Sequence, residues 1–291
     1  MVLGINHITP STVPNFIAEQ WLSEMRVART SKFVMKEAAY ELPIGGSKGN
    51  QFHIPNLSNL VASTKIPGAP VNLLSPTEGE FILVIDQHKE CSILVEDITE
   101  AQEQYHVRSR YTAQMGKALA NVFDDSLLAQ RLSFTQTVAA AAVGMTEAKI
   151  LTIKQTMDEV DAPSEDRVLV VPPAVENDLL SINRFVSSDY RGGGKDMLGA
   201  GRFIGRIHGF DVMITNRMKA GDNGKPGTAG GTAGTYYSLA MQKEALMYGM
   251  PQDMKLQSDY ILEYLGTLVV SSEIYGSKIY RDDHAVVALS V

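Results

Sequence analysis

Two glycine-rich stretches that carry a lysine have the residue types of a phosphate cradle: Arg191-Gly192-Gly193-Gly194-Lys195 and Gly224-Lys225. Such a loop holds phosphate on its backbone N–H groups when it reads Gly-x-x-x-x-Gly-Lys followed by Ser or Thr, entered from a strand and left into a helix. Here Asp196 follows Lys195, Pro226 follows Lys225, and Asp189 stands where the first glycine is needed. The spacing fails, and both stretches read as surface loops. Gly199, Gly201 and Gly205 approach a dinucleotide fingerprint, but they lie between polar segments and not between an early strand and its helix. A nucleotide-binding enzyme using these loops is the alternative that nucleotide calorimetry would test.

Metal and nucleophile chemistry fare no better. His7, His53, His88, His106, His208 and His284 lack convincing ligand-type partners three or four residues away. Asp282-Asp283-His284 reads as an exposed turn, because a metal site needs several correctly spaced ligands. Cys91 has no obvious histidine partner and reads as a buried, inert thiol. Asp124-Asp125 reads as the solvated face of a helix, and no Gly-x-Ser-x-Gly motif occurs. Nothing points to catalysis, and neither a cofactor nor a metal is expected.

The elements that would have to position such groups are more informative. The 291 residues are 44% hydrophobic and 20% charged, which allows a sizeable core. Lys plus Arg number 26 against 33 Asp plus Glu, a net charge of −7. That balance argues against a general nucleic-acid binder, which carries a basic excess. The single cysteine cannot close an intramolecular disulfide. No apolar run reaches the ~18 residues of a membrane span, and Met1 to Asn15 lacks the pattern of a secretory signal. A soluble protein made in a cytoplasm is expected.

Along the chain, Phe16 to Val27 carries Ile17, Trp21, Leu22 and Met25 at helical spacing, an arm with one aromatic anchor. Leu42 to Pro76 is punctuated by Gly and Pro around short alternating pieces, and reads as a long extended hairpin with too few apolar residues for its own core. Phe81–Asp86 and Ser92–Val95 read as a hairpin covered on both faces, turning at Gln87–Glu90. Asp97-Ile98-Thr99-Glu100 is a capping box that opens a helix of ~30 residues, running to about Arg131. A second helix over Thr146–Val160, a buried strand over Arg167–Val171, and a short helix opened by Pro172-Pro173 follow. Two short strands break at Gly209, Lys219–Gly234 is a glycine-rich loop, and Tyr236–Tyr248 and Lys255–Leu265 read as helical or mixed. Leu268–Val291 alternates as returning strands around Tyr275-Gly276. The order is that of an α+β fold.

These residues resemble the major capsid proteins of tailed phages, with the Hong Kong 97 fold, in a podovirus-like or siphovirus-like subgroup. Ile17-Ala18-Glu19-Gln20-Trp21 is similar to the Ile-Pro-Glu-x-Trp opening of that family, with Ala18 in place of proline. Gly49-Asn50-Gln51-Phe52-His53-Ile54-Pro55 is similar to its Gly-Asp-Thr-x-x-Ile-Pro, with Asn50 in place of Asp. Ile85-Asp86-Gln87, Val95-Glu96-Asp97-Ile98 and Ala101-Gln102 lead into the long helix in the family's order. Arg167 to Pro172, Gly205-x-x-x-Gly209-Phe210 and Ser272 to Arg281 complete the likeness, which spans about residues 15 to 285.

The resemblance implies an N-terminal arm at 1–32 and an extended-loop region at 33–80. It implies a peripheral domain at 81–132 and 266–291, holding the spine helix, and an axial domain at 133–265. It also implies a shell built of hexamers and pentamers of the chain, around double-stranded DNA held without sequence-specific contact. A scaffolding protein, a portal and a cement protein are the implied partners, and the virion is the implied location. Inter-subunit contact is expected at Trp21, Lys48, Phe52, Ile54 and Lys65, and an axial or surface loop at Gly224, Gly230, Gly231 and Gly234. Some members of the family cross-link neighbours through Lys and Asn side chains. Lys48 and Lys65 are the loop's lysines, and no acidic catalyst can be assigned. An encapsulin-like nanocompartment shell of the same fold is the alternative.

Overall fold

The computed structural model describes residues 33–46, 49–57, 78–96, 107–138, 144–182, 203–218 and 235–290, with isolated positions 25, 62, 64, 65, 67, 68, 70 and 73. Twelve strands in three sheets are described, with a long helix and three shorter ones.

A short helix, α1 (Met35–Ala38), leads into β1 (Tyr40–Leu42). Next come β2 (Gln51–Leu57), β3 (Glu78–Val84) and β4 (Gln87–Glu96), then the long helix α2 (Val107–Ala129), extended by a 3-10 turn at Gln130–Ser133. The expected capping box at 97–100 lies outside the described residues. Twenty-three residues make α2 about 34 Å long.

After β5 (Thr137–Val138), α3 (Glu147–Glu159) starts where the sequence says it should. Thr146 caps it, its hydroxyl accepting the Lys149 N–H at 3.4 Å, and Glu147 stands in the first turn. Asp161, at φ 55, and Pro163 stop it. Strand β6 (Arg167–Val171) is buried at all five positions, and Pro173 opens α4 (Pro173–Leu180). Strands β7 (Phe203–Ile207) and β8 (Phe210–Ile214) turn through His208 and Gly209, at φ 47 and 95, as a two-residue hairpin turn requires.

From here the chain departs from expectation. The stretches 236–248 and 255–265, expected to be helical or mixed, are strand and turn apart from a 3-10 turn at Lys243–Ala245. They form β9 (Tyr236–Gln242) and β10 (Leu246–Ile261), the latter hairpinned to β11 (Gly266–Ile279) before β12 (Ala285–Ser290). The apolar run from Leu239 is a strand buried on both faces, and Met254 and Leu256 alternate inward from exposed Lys255 and Gln257. The expected hairpin of Phe81–Asp86 with Ser92–Val95 is also absent. Strand β3 pairs antiparallel with β2, β4 pairs antiparallel with β11, and Gln87–Glu90 is the first part of β4. Nor is β4 covered on both faces, since every second residue is exposed.

One sheet runs β1-β10-β11-β4 and another β5-β12-β9-β6-β8-β7; β2 and β3 form a ribbon of their own. The sheets cut across the expected 265/266 boundary, because β10 belongs with β11 and α2, while β12 is inserted between β5 and β9. Residues 33–39 likewise pack into the core and are not part of an extended loop.

One face of the six-stranded sheet, including Val168, Val170, Leu239 and Val287, meets Phe33 and Phe123 in one cluster; the other, including Leu169, Val171, Ala240 and Val286, meets α3 and α4. A sheet covered on both sides explains the unbroken apolar run of β6. Phe123 is the hub of the first cluster, edge-on to Phe33, Tyr248 and Tyr275 at 5.3, 5.3 and 5.0 Å. A third cluster joins Met115 and Leu119 of α2 to Met254, Leu256 and Val269 of the four-stranded sheet. Met25, the one described residue of the arm, is buried in it; Trp21 lies outside the described residues.

Asp124 and Asp125 do not form a solvated face. Asp124 is 2% exposed and accepts the backbone N–H groups of Val34 and Met35 at 3.0 and 3.2 Å. Asp125 takes a two-pronged guanidinium contact from Arg217, with Nε to Oδ1 at 2.6 Å and Nη2 to Oδ2. One turn of α2 thereby ties down two segments remote in sequence.

Candidate functional site

The feature that stands out from the body is the β2–β3 ribbon. Its strands pair over seven rungs, from Gln51 opposite Val84 to Leu57 opposite Glu78, and the Ile85 N–H donates to the Asn50 carbonyl at 2.9 Å to close its base. Phe52 and Ile54 stand opposite Leu83 and Phe81 on one face; both are half-buried. On the other face Gln51, His53 and Pro55 are exposed, and His53 Nδ1 meets Glu80 Oε1.

The base of this ribbon does not stand free of its own chain. Leu83 and Ile44 are buried, the Gly46 N–H donates to the Pro251 carbonyl at 2.9 Å, and Phe81 lies edge-on to Tyr280 at 5.1 Å. Lys278 Nζ sits 5.0 Å from the centre of the Phe81 ring and donates to the Ile82 carbonyl at 3.1 Å. Leu42 to Pro76, expected to have too few apolar residues for its own core, rests at its near end on the body of its own chain, where Ile44 is buried. At the far end the described positions 62, 64, 65, 67, 68, 70 and 73 are all exposed, Leu73 by 90%. Lys65 is among them, whereas Lys48, Gly224, Gly230, Gly231 and Gly234 lie outside the described residues.

Groups with chemical potential are dispersed. Among the described residues no group of three or more His, Cys, Asp or Glu is placed to hold a metal ion. Cys91 is half-buried beside the methionine-rich cluster, and burial raises its thiol pKa, which disfavours the thiolate. His284 is only partly exposed and lies 3.9 Å from Asp283; His208 Nε2 lies 3.3 Å from Glu147 Oε1 on α3. No described helix is long and apolar enough to cross a membrane.

A second exposed feature has no counterpart in the sequence reading. The turn between β10 and β11 presents Leu262, Tyr264 and Leu265 at 77, 60 and 63% exposure. In a helix the same residues would pass for a buried face, so their spacing carries no signal of a turn.

Comparison with known proteins gives this geometry its context. A family model described as "Phage capsid protein" matches residues 96–288. No curated protein matches. Among solved structures, the capsid of the cyanophage P-SCSP1u superposes with a TM-score of 0.69 at 20% identity, over 89% of this chain and 88% of that one. Mycobacterium phage Che8 gives 0.67 at 21%, over 88% and 90%. A virus-like particle from Pyrococcus furiosus gives 0.60 at 13%, over 94% and 99%. With a family match over most of its length and a shared fold, the chain belongs to the phage capsid protein family and has the Hong Kong 97 fold of icosahedral shells.

Proposed function

We propose that this capsid protein is the repeating subunit of a tailed phage's shell, assembling as hexamers and pentamers that close around double-stranded DNA. The observation that supports this most is the ribbon, anchored at its base and leading to a loop whose described positions 62, 64, 65, 67, 68, 70 and 73 are all exposed. A paired-strand extension with little cover from its own chain gains by lying on a neighbour. Identical contacts repeated around closing rotations make rings and then a closed surface. Each copy is then held by several others, so weak contacts suffice.

In this reading the four-stranded sheet with α2 forms the peripheral part and the six-stranded sheet with α3 and α4 the axial part. The arm and the ribbon, including Phe52, Ile54 and Lys65, reach adjacent copies. The net charge of −7 suits a wall that encloses DNA without gripping it, since basic contacts at every copy would hold the genome to the wall. Scaffold, portal and cement proteins would be recruited by the assembled lattice.

The match to a particle from Pyrococcus furiosus, rather than from a phage, favours a second reading, a nanocompartment shell that carries a cargo protein. Negative-stain microscopy of the expressed chain, with and without the products of its neighbouring genes, tests both. Closed particles that protect double-stranded DNA from nuclease support the phage shell. Particles that co-purify with one cargo protein support the compartment. A chain that stays monomeric with scaffold present contradicts both.

A further inference from the structure

The chain enters the ribbon from β1, at one edge of the four-stranded sheet, and leaves it into β4, at the other edge. It must cross β10 and β11 in between. The crossing occurs at the rung where Gly249 faces Gly276. A Cβ on Gly249 would lie 2.5 Å from Ile44 Cδ1 and 3.1 Å from Leu83 Cδ2. On Gly276 it would lie 2.2 Å from the Val84 carbonyl oxygen and 3.0 Å from Ile85 Cα. Neither residue is among the glycines with positive φ, so backbone conformation does not demand glycine here. Proximity does, as it does where a second backbone passes over a strand. Two residues further along β11, Lys278 fastens the passing chain through the Ile82 carbonyl and the Phe81 ring.

We propose that the bare Gly249–Gly276 rung is the seat that sets the direction in which the ribbon leaves the body, and that Lys278 is the positioning residue that holds it there. The seat thereby sets the curvature of the assembled shell, an inference that rests on the chain being a shell subunit. The ribbon is a lever. Seven residues span about 23 Å at ~3.3 Å per residue, so a small tilt at the rung becomes a larger displacement at the far end, where the neighbour is met. Whether a repeated contact closes, and into what size of ring, depends on the rotation between copies.

The two glycines differ in a way that makes the test sharp. A methyl on Gly249 presses on the end of a flexible isoleucine side chain, whereas a methyl on Gly276 presses on backbone. G276A is therefore expected to displace the ribbon and G249A to be partly absorbed. The full chain is expressed as wild type, G249A, G276A, K278M and K278R, with its neighbouring genes, and folding is checked by circular dichroism and thermal melting. Two readouts follow. In unassembled protein, amide exchange in β2 and β3 is expected to rise at least tenfold in G276A and K278M, less in G249A, and to return toward wild type in K278R. In assembled samples, G276A and K278M are expected to lose most particles of wild-type diameter to other sizes or open sheets, with K278R restoring them. Unchanged exchange in folded G276A or K278M overturns the seat, and an unchanged size distribution overturns its control of curvature. Lys278 is exposed, so K278M decides the matter if G276A does not fold. If wild type forms no particles, the shell reading fails while the exchange arm still judges the seat.

Discussion

Asp124 and Met35 lie 89 residues apart, and the Asp124 carboxylate accepts the Met35 N–H at 3.2 Å inside the core. The same carboxylate accepts the Val34 N–H at 3.0 Å, so it satisfies two donors at the start of α1 that would otherwise lie buried without partners.

Replacing Asp124 by alanine should remove both acceptors at once and lower stability by about 1–3 kcal/mol per donor left unsatisfied. The substitution Asp124→Asn keeps one acceptor oxygen and should cost less. Urea unfolding of unassembled protein measures both, and an unchanged midpoint in Asp124→Ala would mean that water reaches the two N–H groups.

The Asp125–Arg217 pair joins α2 to the segment that follows β8. Both side chains are about a quarter exposed, so solvent weakens the pair, and a coupling of about 1 kcal/mol is expected, between surface and buried values. A double-mutant cycle with Asp125→Asn and Arg217→Gln isolates it. The hydrogen bond to the Asp125 carboxylate raises the Arg217 pKa further, for a guanidinium that is charged at any working pH in any case.

Asp158 supplies a pH signature. Hydrogen bonds from Lys154 and from Arg167, the latter at 2.7 Å, hold its carboxyl below the ordinary aspartate value. A carboxylate with a depressed folded pKa stabilises the fold above its unfolded pKa of about 3.9, and that contribution fades as pH falls through the lower folded value. The stability gap between wild type and Asp158→Asn should therefore be flat from pH 7 to about 5 and close only below about pH 4. A gap that closes near pH 6 would assign the effect to another group.

Phe123 anchors three edge-on ring contacts where both sheets meet α2. Phe123→Ala should cost about 3–5 kcal/mol. Leu262→Ser, on the exposed β10–β11 turn, should change the stability of the isolated chain by less than about 0.5 kcal/mol. Thermal melts of the two variants make the comparison directly.

Local signals are legible where an element owes its form to its own residues. Thr146 and Pro173 mark helix starts, β6 is apolar from Val168 to Val171, and His208-Gly209 marks a tight turn. Pairing is not legible. Ile93 and Val269 are partners 176 residues apart, and nothing near β4 announces that its partner is β11 rather than β3. The alternation of β10 from Met254 onward reads as helix or strand alike, because short apolar pieces fit both periods. Asp124 and Asp125 look solvated in sequence because one is satisfied by backbone N–H groups, which leave no trace there, and the other by an arginine far along the chain. Of the candidate site, Phe52 and Ile54 are legible as ribbon residues from their alternation. The glycine seat is not, because Tyr275-Gly276 signals closeness only once Val84 is seen passing over it.

The position of β12 bears on when the fold can form. It lies between β5 and β9, inside the six-stranded sheet, yet it spans Ala285–Ser290. On the ribosome, β5 therefore waits for a partner made 150 residues later, Val287 opposite Thr137, and the sheet stays split until Ser290 has emerged.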